Sequence, residues 1–429
     1  QYYSTESDIG VYGENIFFRA YSTGYDFYRD TSSIWISDGT PFGTYKLSDF
    51  VDPADFTTVD RGVFFIANDG NYGYEIAFSD GTSDGTVRVT DDGHNCTWSQ
   101  YDIYGVSGNA IFFSDKIYSN GCSGGYDGER LYRATALNNG EFEIINLDVD
   151  DLYKIGYQEH IVSDGKFFFT SRDYEEDTIG LYVAGSQNIT LISEYDDDQS
   201  FGQFGAIAGS LYFGFGQMGN ESLWKSDGTE EGTFRLKSFH NNSDDRVYIT
   251  EIHTDNVHDL IYLKATVIRD DGRSVNIYIS DGTSEGTYSV IEGTDSDGYQ
   301  FFQDEVDDSV YFVAERDSNY GDDFHFYVFD ESTLSFDFLF NETENNIGGD
   351  LDFYRSILVR GDLYVDGAHY QTGYELWKID INSEYIGLLH DINPGPNRSG
   401  LDGLTYNNGK LYFSAYSATY GGEYWYITV

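Results

Sequence analysis

Two groups of residues in this sequence have types that could carry out catalysis. Residues 121–125 read Gly-Cys-Ser-Gly-Gly and match the G-x-S-x-G pattern of serine nucleophiles. That pattern needs a turn between a strand and a helix, and no stretch of this chain shows sustained helical periodicity. His253 and His258 flank Asp255 and Asp259, but their spacing fits no zinc-binding helix, and we interpret them as a scattered surface pair. Neither group predicts an active site.

Clusters of carboxylates could bind calcium, which prefers oxygen ligands. They occur at residues 148–151, 196–198, 304–308 and 322–323. None has the spacing of an EF-hand loop or of a calcium-binding nonapeptide repeat, so we interpret them as solvated connections. We expect no cofactor, with calcium as the alternative. With 74 acidic residues, the paired carboxylates of a glycoside hydrolase also stay open.

A turn of sequence Ser-Asp-Gly-Thr-x-x-Gly-Thr occurs four times, at residues 37–44, 79–86, 226–233 and 280–287. Aspartate favours turns through local backbone hydrogen bonds, glycine accepts a positive φ, and threonine returns the chain to a strand. Turn formation explains all of these residues. A calcium or sugar site lined by the aspartates is the alternative.

The turn belongs to a larger repeat with a period of about 50 residues, which is typical of a propeller blade. In each copy an aromatic-rich strand is followed by a second strand with a large apolar pair, as in Leu223-Trp224. A short strand before them and one after them complete a four-stranded unit. The aromatic strands lie near residues 16, 63, 111, 167, 211, 261, 310, 363 and 411.

The repeat predicts an all-β fold, with residues 1–429 forming a single β-propeller of nine four-stranded antiparallel blades. The last unit stops at Val429 without a fourth strand, and Gln1–Thr5 resembles an orphan strand. We expect this N-terminal strand to complete the last blade and close the ring, which removes exposed sheet edges. An open or split arrangement is the alternative.

The repeat resembles the ELWxxDGT family of secreted and surface β-propeller proteins. The resemblance is carried by Tyr-Glu-Leu-Trp-Lys at residues 374–378 and by Leu-Trp-Lys-Ser-Asp-Gly-Thr at residues 223–229. Four units depart from the pattern in the turn, at residues 134–136, 184–186, 329–331 and 379–381. The resemblance implies extracellular repeats of propeller type and no defined catalytic activity.

The net charge of −50, from 74 acidic and 24 basic residues, argues against a nucleic-acid partner and against anionic membrane surfaces. This charge fits a soluble surface. Adaptation to a saline habitat, or cation binding, would be more specific explanations of it. No apolar run approaches the roughly 18 residues of a membrane span. The sequence starts at Gln1, which fits either a mature chain after signal removal or a trimmed one.

Cys96 and Cys122 fall in connections of the third unit that emerge on the same face, so a disulfide and an oxidising compartment are expected. Two free thiols are the alternative. Asn-x-Ser/Thr sites predict N-glycosylation, and all but one of them fall in connections on the face that carries the long loops. These sites are Asn95, Asn188, Asn220, Asn241, Asn341 and Asn397.

Tyrosines in the loops between the second and third strands are candidates for holding a ligand or partner. They are Tyr25, Tyr72, Tyr320, Tyr370 and Tyr420. The alternative is that these side chains fold back to cover the blade edges.

We therefore expect a non-enzymatic, secreted, glycosylated structural or adhesion protein, a rigid acidic disc that self-associates or binds other extracellular proteins or glycans. A lectin and a secreted glycoside hydrolase are the alternatives.

Overall fold

A computed structural model describes residues 9–21, 32–70, 73–91, 101–118, 126–147, 154–173, 176–196, 198–217, 219–239, 245–269, 272–294, 299–318, 321–341 and 351–429. In these ranges all helical and strand structure is β-strand, which confirms the all-β prediction. The strands form eight antiparallel sheets, one of seven strands, six of four and one of three. The four-stranded antiparallel unit predicted from the repeat is therefore present.

The seven-stranded sheet contains β1 (Ile9–Tyr12), β2 (Asn15–Tyr21), β3 (Ser32–Ser37), β4 (Tyr45–Val59), β5 (Gly62–Asn68), β6 (Tyr74–Ser79) and β7 (Val87–Arg88). Three sheets follow, with strands β8 (Tyr101–Ser107), β9 (Ala110–Tyr118), β10 (Tyr126–Ala136), β11 (Phe142–Asn146); β12 (Ile155–Ser163), β13 (Lys166–Asp173), β14 (Thr178–Ala184), β15 (Ile189–Asp196); and β16 (Gln199–Ile207), β17 (Ser210–Gln217), β18 (Ser222–Ser226), β19 (Phe234–Ser238).

Three further four-stranded sheets contain β20 (Arg246–Asp255), β21 (Leu260–Arg269), β22 (Gly272–Ser280), β23 (Tyr288–Thr294); β24 (Tyr299–Gln303), β25 (Val310–Ser318), β26 (Gly321–Asp330), β27 (Ser335–Asn341); and β28 (Leu351–Val359), β29 (Asp362–His369), β30 (Gly373–Asp380), β31 (Tyr385–His390). The last sheet contains β32 (Asp402–Asn407), β33 (Lys410–Ser417) and β34 (Gly421–Thr428).

The aromatic strands of the repeat are central strands, paired on both sides, and they carry the cores between consecutive sheets. Phe167 and Phe169 on β13 pack against Phe112 and Leu131 of the preceding sheet. The residue between them, Phe168, points the other way and packs with the following sheet. Because side chains alternate across a strand, one aromatic triplet serves two cores.

In the first sheet, the last strand of one unit and the first strand of the next, which were expected to be separate, form a single strand. β4 is one continuous strand of 15 residues that pairs with β3 through Trp35↔Lys46 and with β5 through Thr57↔Phe64. The connection between the two predicted strands is too short to leave the sheet. It is absorbed instead by kinks at Asp52 and Asp55, both of which have positive φ.

The chain divides into two compact units, residues 1–218 with 223–235 and residues 219–222 with 236–429. Sheets that follow one another in sequence share cores within each unit. The nine-bladed closed ring stays a prediction, and Gln1–Thr5 lies outside the described residues.

Candidate functional site

The four repeated turns are closed networks of their own side chains. In the turn at residues 226–233, Asp227 Oδ1 accepts hydrogen bonds from the Thr229 backbone N–H at 2.9 Å and from Thr229 Oγ1 at 2.7 Å. Ser226 Oγ lies 2.7 Å from Thr233 Oγ1. The other three copies repeat these bonds within 0.1 Å. The signature residues therefore bind one another.

The second glycine of the turn is fixed by the aspartate. A Cβ atom added at Gly232 would lie 2.1 Å from Asp227 Oδ1, and the equivalent glycines of the other copies have the same contact. The Thr229 hydroxyl also accepts the Gly232 N–H at 3.0 Å, which holds the glycine over the carboxylate. The turn therefore requires glycine for space at this position.

Buried glutamates on or directly before third strands accept backbone hydrogen bonds from residues that follow their own strand in sequence. Glu129 accepts a hydrogen bond from the Ile155 N–H of the next sheet at 3.1 Å, and Glu221 accepts one from Ile249 at 2.7 Å. The glutamate of the Glu-Leu-Trp motif, Glu375, accepts from the Ile392 N–H at 2.8 Å. These glutamates are almost completely buried. Burial raises the pKa of Glu375 to about 7.

A second set of polar side chains occupies one equivalent position on the first strands of the seven smaller sheets. We call it the first-strand polar position. In five of the sheets its residue lies opposite the residue that follows the aromatic triplet. In the other two it directly precedes a residue that is paired with the last residue of the triplet. Five are carboxylates and two are carboxamides. They are Asp102, Glu159, Gln203, Glu251, Gln300, Asp352 and Asp402.

In two of these sheets the chain supplies an ammonium group to the carboxylate. Lys264 lies directly opposite Glu251, is only 9% exposed, and places its Nζ 4.0 Å from Glu251 Oε2. Lys116 Nζ lies 2.7 Å from Asp102 Oδ2. An ammonium group beside this position is therefore an arrangement that the fold already uses.

The β28–β31 sheet lacks that lysine. Asp366 occupies the place that Lys264 has in the β20–β23 sheet, and it lies directly opposite Asp352. Asp366 is 1% exposed, and its Oδ1 accepts no hydrogen bond from the described residues. Burial, and then the charge of Asp352, raises the pKa of Asp366 to about 6. Like charges directly opposite each other on a sheet are unfavourable, so the two carboxylates destabilise each other when both are ionised.

Two arginines lie close enough to this pair to affect it. The guanidinium groups of Arg398 and Arg355 oppose the rise in the pKa of Asp366. Arg355 belongs to a bulge, because the register of β28 with β29 shifts between Asp352 and Ile357. Both arginine side chains are exposed, so their donors can also reach a bound molecule.

Arg398 is held by a well-anchored loop. Its backbone carbonyl accepts a hydrogen bond from Asn393 Nδ2 at 3.1 Å, and the next residue, Ser399, donates its N–H to the Tyr374 carbonyl at 2.8 Å. The guanidinium lies over the Tyr374 ring, 5.6 Å from its centre. Asp352, Asp366, Arg355 and Arg398, which we call the Asp–Arg cluster, form the candidate site.

The histidine and acidic-cluster predictions need correction. His258 is not a scattered surface residue, because its ring bridges Asp255, which is fully buried, and Glu331, whose Oε1 is 2.8 Å from Nε2. Asp304 is 1% exposed rather than solvated, and it accepts the Gly361 N–H of the following sheet at 2.6 Å. Both contacts join neighbouring sheets, which a sequence pattern cannot show.

Of the predicted modification and loop residues that the structure describes, Asn397 directly precedes Arg398, and none belongs to the Asp–Arg cluster itself. Cys96, Cys122, Asn95, Asn241, Tyr25, Tyr72 and Tyr320 lie outside the described residues, as do residues 121–125. Asn188, Asn220 and Asn397 are exposed, and Asn341 ends β27 half-buried. Tyr370 and Tyr420 are 77% and 70% exposed, so these two rings do not fold back over blade edges.

Within the described ranges, no group of three or more His, Cys, Asp or Glu side chains is placed to hold a metal ion. Calcium binding stays a prediction. The same part of the chain contains no helix long and apolar enough to span a bilayer.

The sequence matches no family model and no curated protein. Solved structures with a similar fold include the β-propeller domain of the trilobed protease from Pyrococcus furiosus, with 12% identity, a TM-score of 0.41, and coverage of 76% of this chain and 95% of that one. Another is Porphyromonas gingivalis dipeptidyl peptidase 4, with 12% identity, a TM-score of 0.46, and coverage of 82% and 56%. A third is a puromycin-hydrolyzing peptidase of Mycobacterium tuberculosis, with 10% identity, a TM-score of 0.40, and coverage of 96% and 57%.

These comparisons correct the predicted function. The similar structures are peptidases or domains of peptidases, so the prediction of a non-enzymatic structural or adhesion protein is withdrawn, and the glycoside hydrolase alternative finds no support among them. The chain spans about half the length of the full-length peptidases, at 52–57% of their chains. At this identity the likeness concerns the β-propeller fold and assigns no peptidase activity to this chain.

The turn geometry predicts an interaction between two positions. Gly232→Ala should lower the free energy of unfolding by about 1–3 kcal/mol, because the added methyl group overlaps the Asp227 carboxylate. In the Asp227→Ala background the same change should cost much less, since the overlapping atoms are gone. Urea denaturation of both single variants and the double variant measures this coupling. Equal costs in the two backgrounds would contradict the proposed contact, and Glu231→Ala is the matched control.

The raised pKa values predict how stability depends on pH. Asp366, Glu159, Glu251 and Glu375 bind protons more tightly in the folded chain than in the unfolded chain, so the free energy of unfolding should fall as pH rises from about 4 to about 7. Asp366→Asn should raise the Tm at pH 8 by about 2–4 °C and change it little at pH 5. Thermal unfolding followed by circular dichroism tests this, with the exposed Asp337→Asn as control. A pH-independent effect of Asp366→Asn would contradict the assignment.

Proposed function

We propose that this chain is a ligand-recognition propeller domain that binds the ammonium group of a ligand with Asp352 and Asp366. One observation carries the proposal: Asp366 stands where the β20–β23 sheet has the ion-paired Lys264. A ligand ammonium would take the place that the Lys264 ammonium has beside Glu251. Amino termini and lysine side chains of polypeptides carry such a group, so peptides, including those that a peptidase would act on, belong to the proposed ligand class.

The physical case rests on burial and on the unused acceptor. A hydrogen bond to a charged group in a partly buried site is stronger than one between neutral groups in water. Asp366 Oδ1 is buried and accepts no bond from the described residues, so a ligand donor that reached it would supply the missing hydrogen bond. The surrounding charge of −50 further concentrates cations near the surface.

Calorimetric titration with glycylglycinamide, which carries an ammonium group and no carboxylate, tests the proposal. We expect saturable binding at pH 7.5 that weakens about tenfold in Asp366→Asn and is unchanged in Asp337→Asn. Affinity should rise between pH 5 and pH 7.5, because Asp366 ionises with a pKa of about 6. The uncharged analogue N-acetylglycinamide should not bind.

The strongest test installs the missing lysine. Asp366→Lys should recreate the Glu251–Lys264 arrangement with Asp352, keep the fold, and abolish glycylglycinamide binding. Retained binding in this variant, or no binding in the unmodified chain, would contradict the proposal. Binding of calcium in place of the amine, displaced by neither probe, would favour the calcium prediction instead.

We also propose that the domain is a nine-bladed ring closed by Gln1–Thr5 as the fourth strand of the last sheet. The β32–β34 sheet has three strands where the six preceding sheets have four. β34 borders a cavity of about 520 Å³, lined in part by Lys378, His390 and Trp425. Tyr2, Tyr3 and Thr5 favour strands, and five residues of strand span about 17 Å.

Hydrogen exchange of β34 tests the closure. Replacing Gln1–Thr5 by an equally long Gly-Ser segment should speed amide exchange in Gly421–Thr428 by at least about tenfold, because the unpaired edge opens more easily. Exchange in β21, Leu260–Arg269, should not change and provides the internal control. Identical β34 exchange in both chains would contradict closure. A dimer that forms with the native segment and not with the replacement would show that the strand is donated to a second copy instead.

Secretion, N-glycosylation, a Cys96–Cys122 disulfide and extracellular partners stay predictions. The exposure of Asn188, Asn220 and Asn397 is compatible with glycans at these positions.

A further inference from the structure

The second half of β34, Trp425–Thr428, has a free edge beside a cavity. In the described residues β34 is the last strand of its sheet, and this half lines the cavity of about 520 Å³. The Val429 N–H donates to the Gly409 carbonyl on the β33 side at 2.9 Å. Because backbone groups alternate in direction along a strand, those of Tyr426 and Thr428 point to the free edge.

The preceding sheet, β28–β31, shows what fills the same space when a fourth strand is present. Trp377 and Ile379 on β30 are buried, and the fourth-strand residue Ile386, opposite Ile379, belongs to the same core. Trp425 and Ile427 have the equivalent register on β34 but are only half-buried. The cavity therefore corresponds to the place of Ile386.

The spacing of the units limits how much of β34 the segment Gln1–Thr5 can cover. On the continuous strand β4, Tyr45 pairs with the third strand of one unit, and Thr57, twelve residues later, pairs with the aromatic strand of the next. Gly10 is the counterpart of Thr57, and Tyr426 is the counterpart of the residue that Tyr45 faces. The segment begins nine residues before Gly10. It can therefore face the first half of β34 and leaves the second half open.

We propose that the second half of β34 and its cavity bind an extended segment of another protein, which adds a fourth strand and places one branched apolar side chain in the cavity. This inference goes beyond the ammonium site and uses the proposed closure only to define the open half of β34. Backbone hydrogen bonds to Tyr426 and Thr428 would supply affinity, and the cavity would select the side chain. Lys378 and Asp362, which also line the cavity, bind each other at 2.6 Å, so the site favours an apolar side chain over a charged one.

The fourth strand of the preceding sheet provides the probe. A labelled, acetylated and amidated peptide with the sequence of residues 384–390 carries the Ile386 side chain, and fluorescence anisotropy measures its binding. The acetyl cap removes the terminal ammonium, so the proposed ammonium site does not contribute. We expect saturable binding to the unmodified protein, and at least about tenfold weaker binding when the peptide carries Ile386→Gly.

A proline at the free edge tests the strand pairing. Thr428→Pro should weaken peptide binding at least about tenfold, because proline removes an N–H that points to the edge, and edge strands tolerate this change. Thr428→Ala keeps the N–H, so it is the matched control and should bind as the unmodified protein does. Circular dichroism confirms that both variants keep the fold.

The outcomes separate the alternative occupants. Equal binding to Thr428→Pro and to the unmodified protein, or no binding to either, would overturn the inference and leave the ammonium site untouched. Binding that appears only after Gln1–Thr5 is replaced by a Gly-Ser segment would assign this half of the edge to that segment instead. A dimer of the unmodified protein that Thr428→Pro dissociates would assign it to a second copy. Loss of peptide binding in a longer form of the chain would assign it to residues that precede Gln1.

Discussion

Consecutive sheets in this protein depend on carboxylates that accept hydrogen bonds from the backbone of the next sheet. The first strand of a sheet has one side without a ladder partner, and its N–H groups need acceptors when they are buried. Glu129 supplies one to Ile155 at the start of β12, and Glu251 supplies one to Phe301 on β24, in each case from the preceding sheet. Aromatic packing between sheets is not directional. These hydrogen bonds are directional, so they fix the register of one sheet against the next.

The same solution creates an electrostatic cost. A chain with a charge of −50 that buries carboxylates must either protonate them or place cations beside them. Burial raises the pKa of Glu251 and Glu375 to about 7, and Lys264 partly offsets the charge of Glu251. The Asp352–Asp366 pair is the place in the described residues where two acids meet at the first-strand polar position. The candidate site is therefore a departure from the pattern that stabilises the rest of the molecule.

Much of the architecture could be predicted from the sequence because its signals are local. The turn at residues 226–233 is explained by residues within one octapeptide, and the aromatic triplets mark central strands because a buried strand on both faces must be apolar throughout. The function predicted from the same signals was wrong. A repeat describes what the units share, whereas binding depends on what makes one unit different, and the comparison with peptidases removed the structural interpretation.

The sequence by itself determined the four-stranded unit, its turns and the aromatic cores, since these depend on residues a few positions apart. The tertiary structure decided which acids are buried and what they face. Asp304 and Gly361 are far apart in sequence and meet only because two sheets pack together. The equivalence of Asp366 and Lys264 likewise becomes visible only through strand register, because bulges such as that between Asp352 and Ile357 shift the spacing that a sequence alignment would rely on.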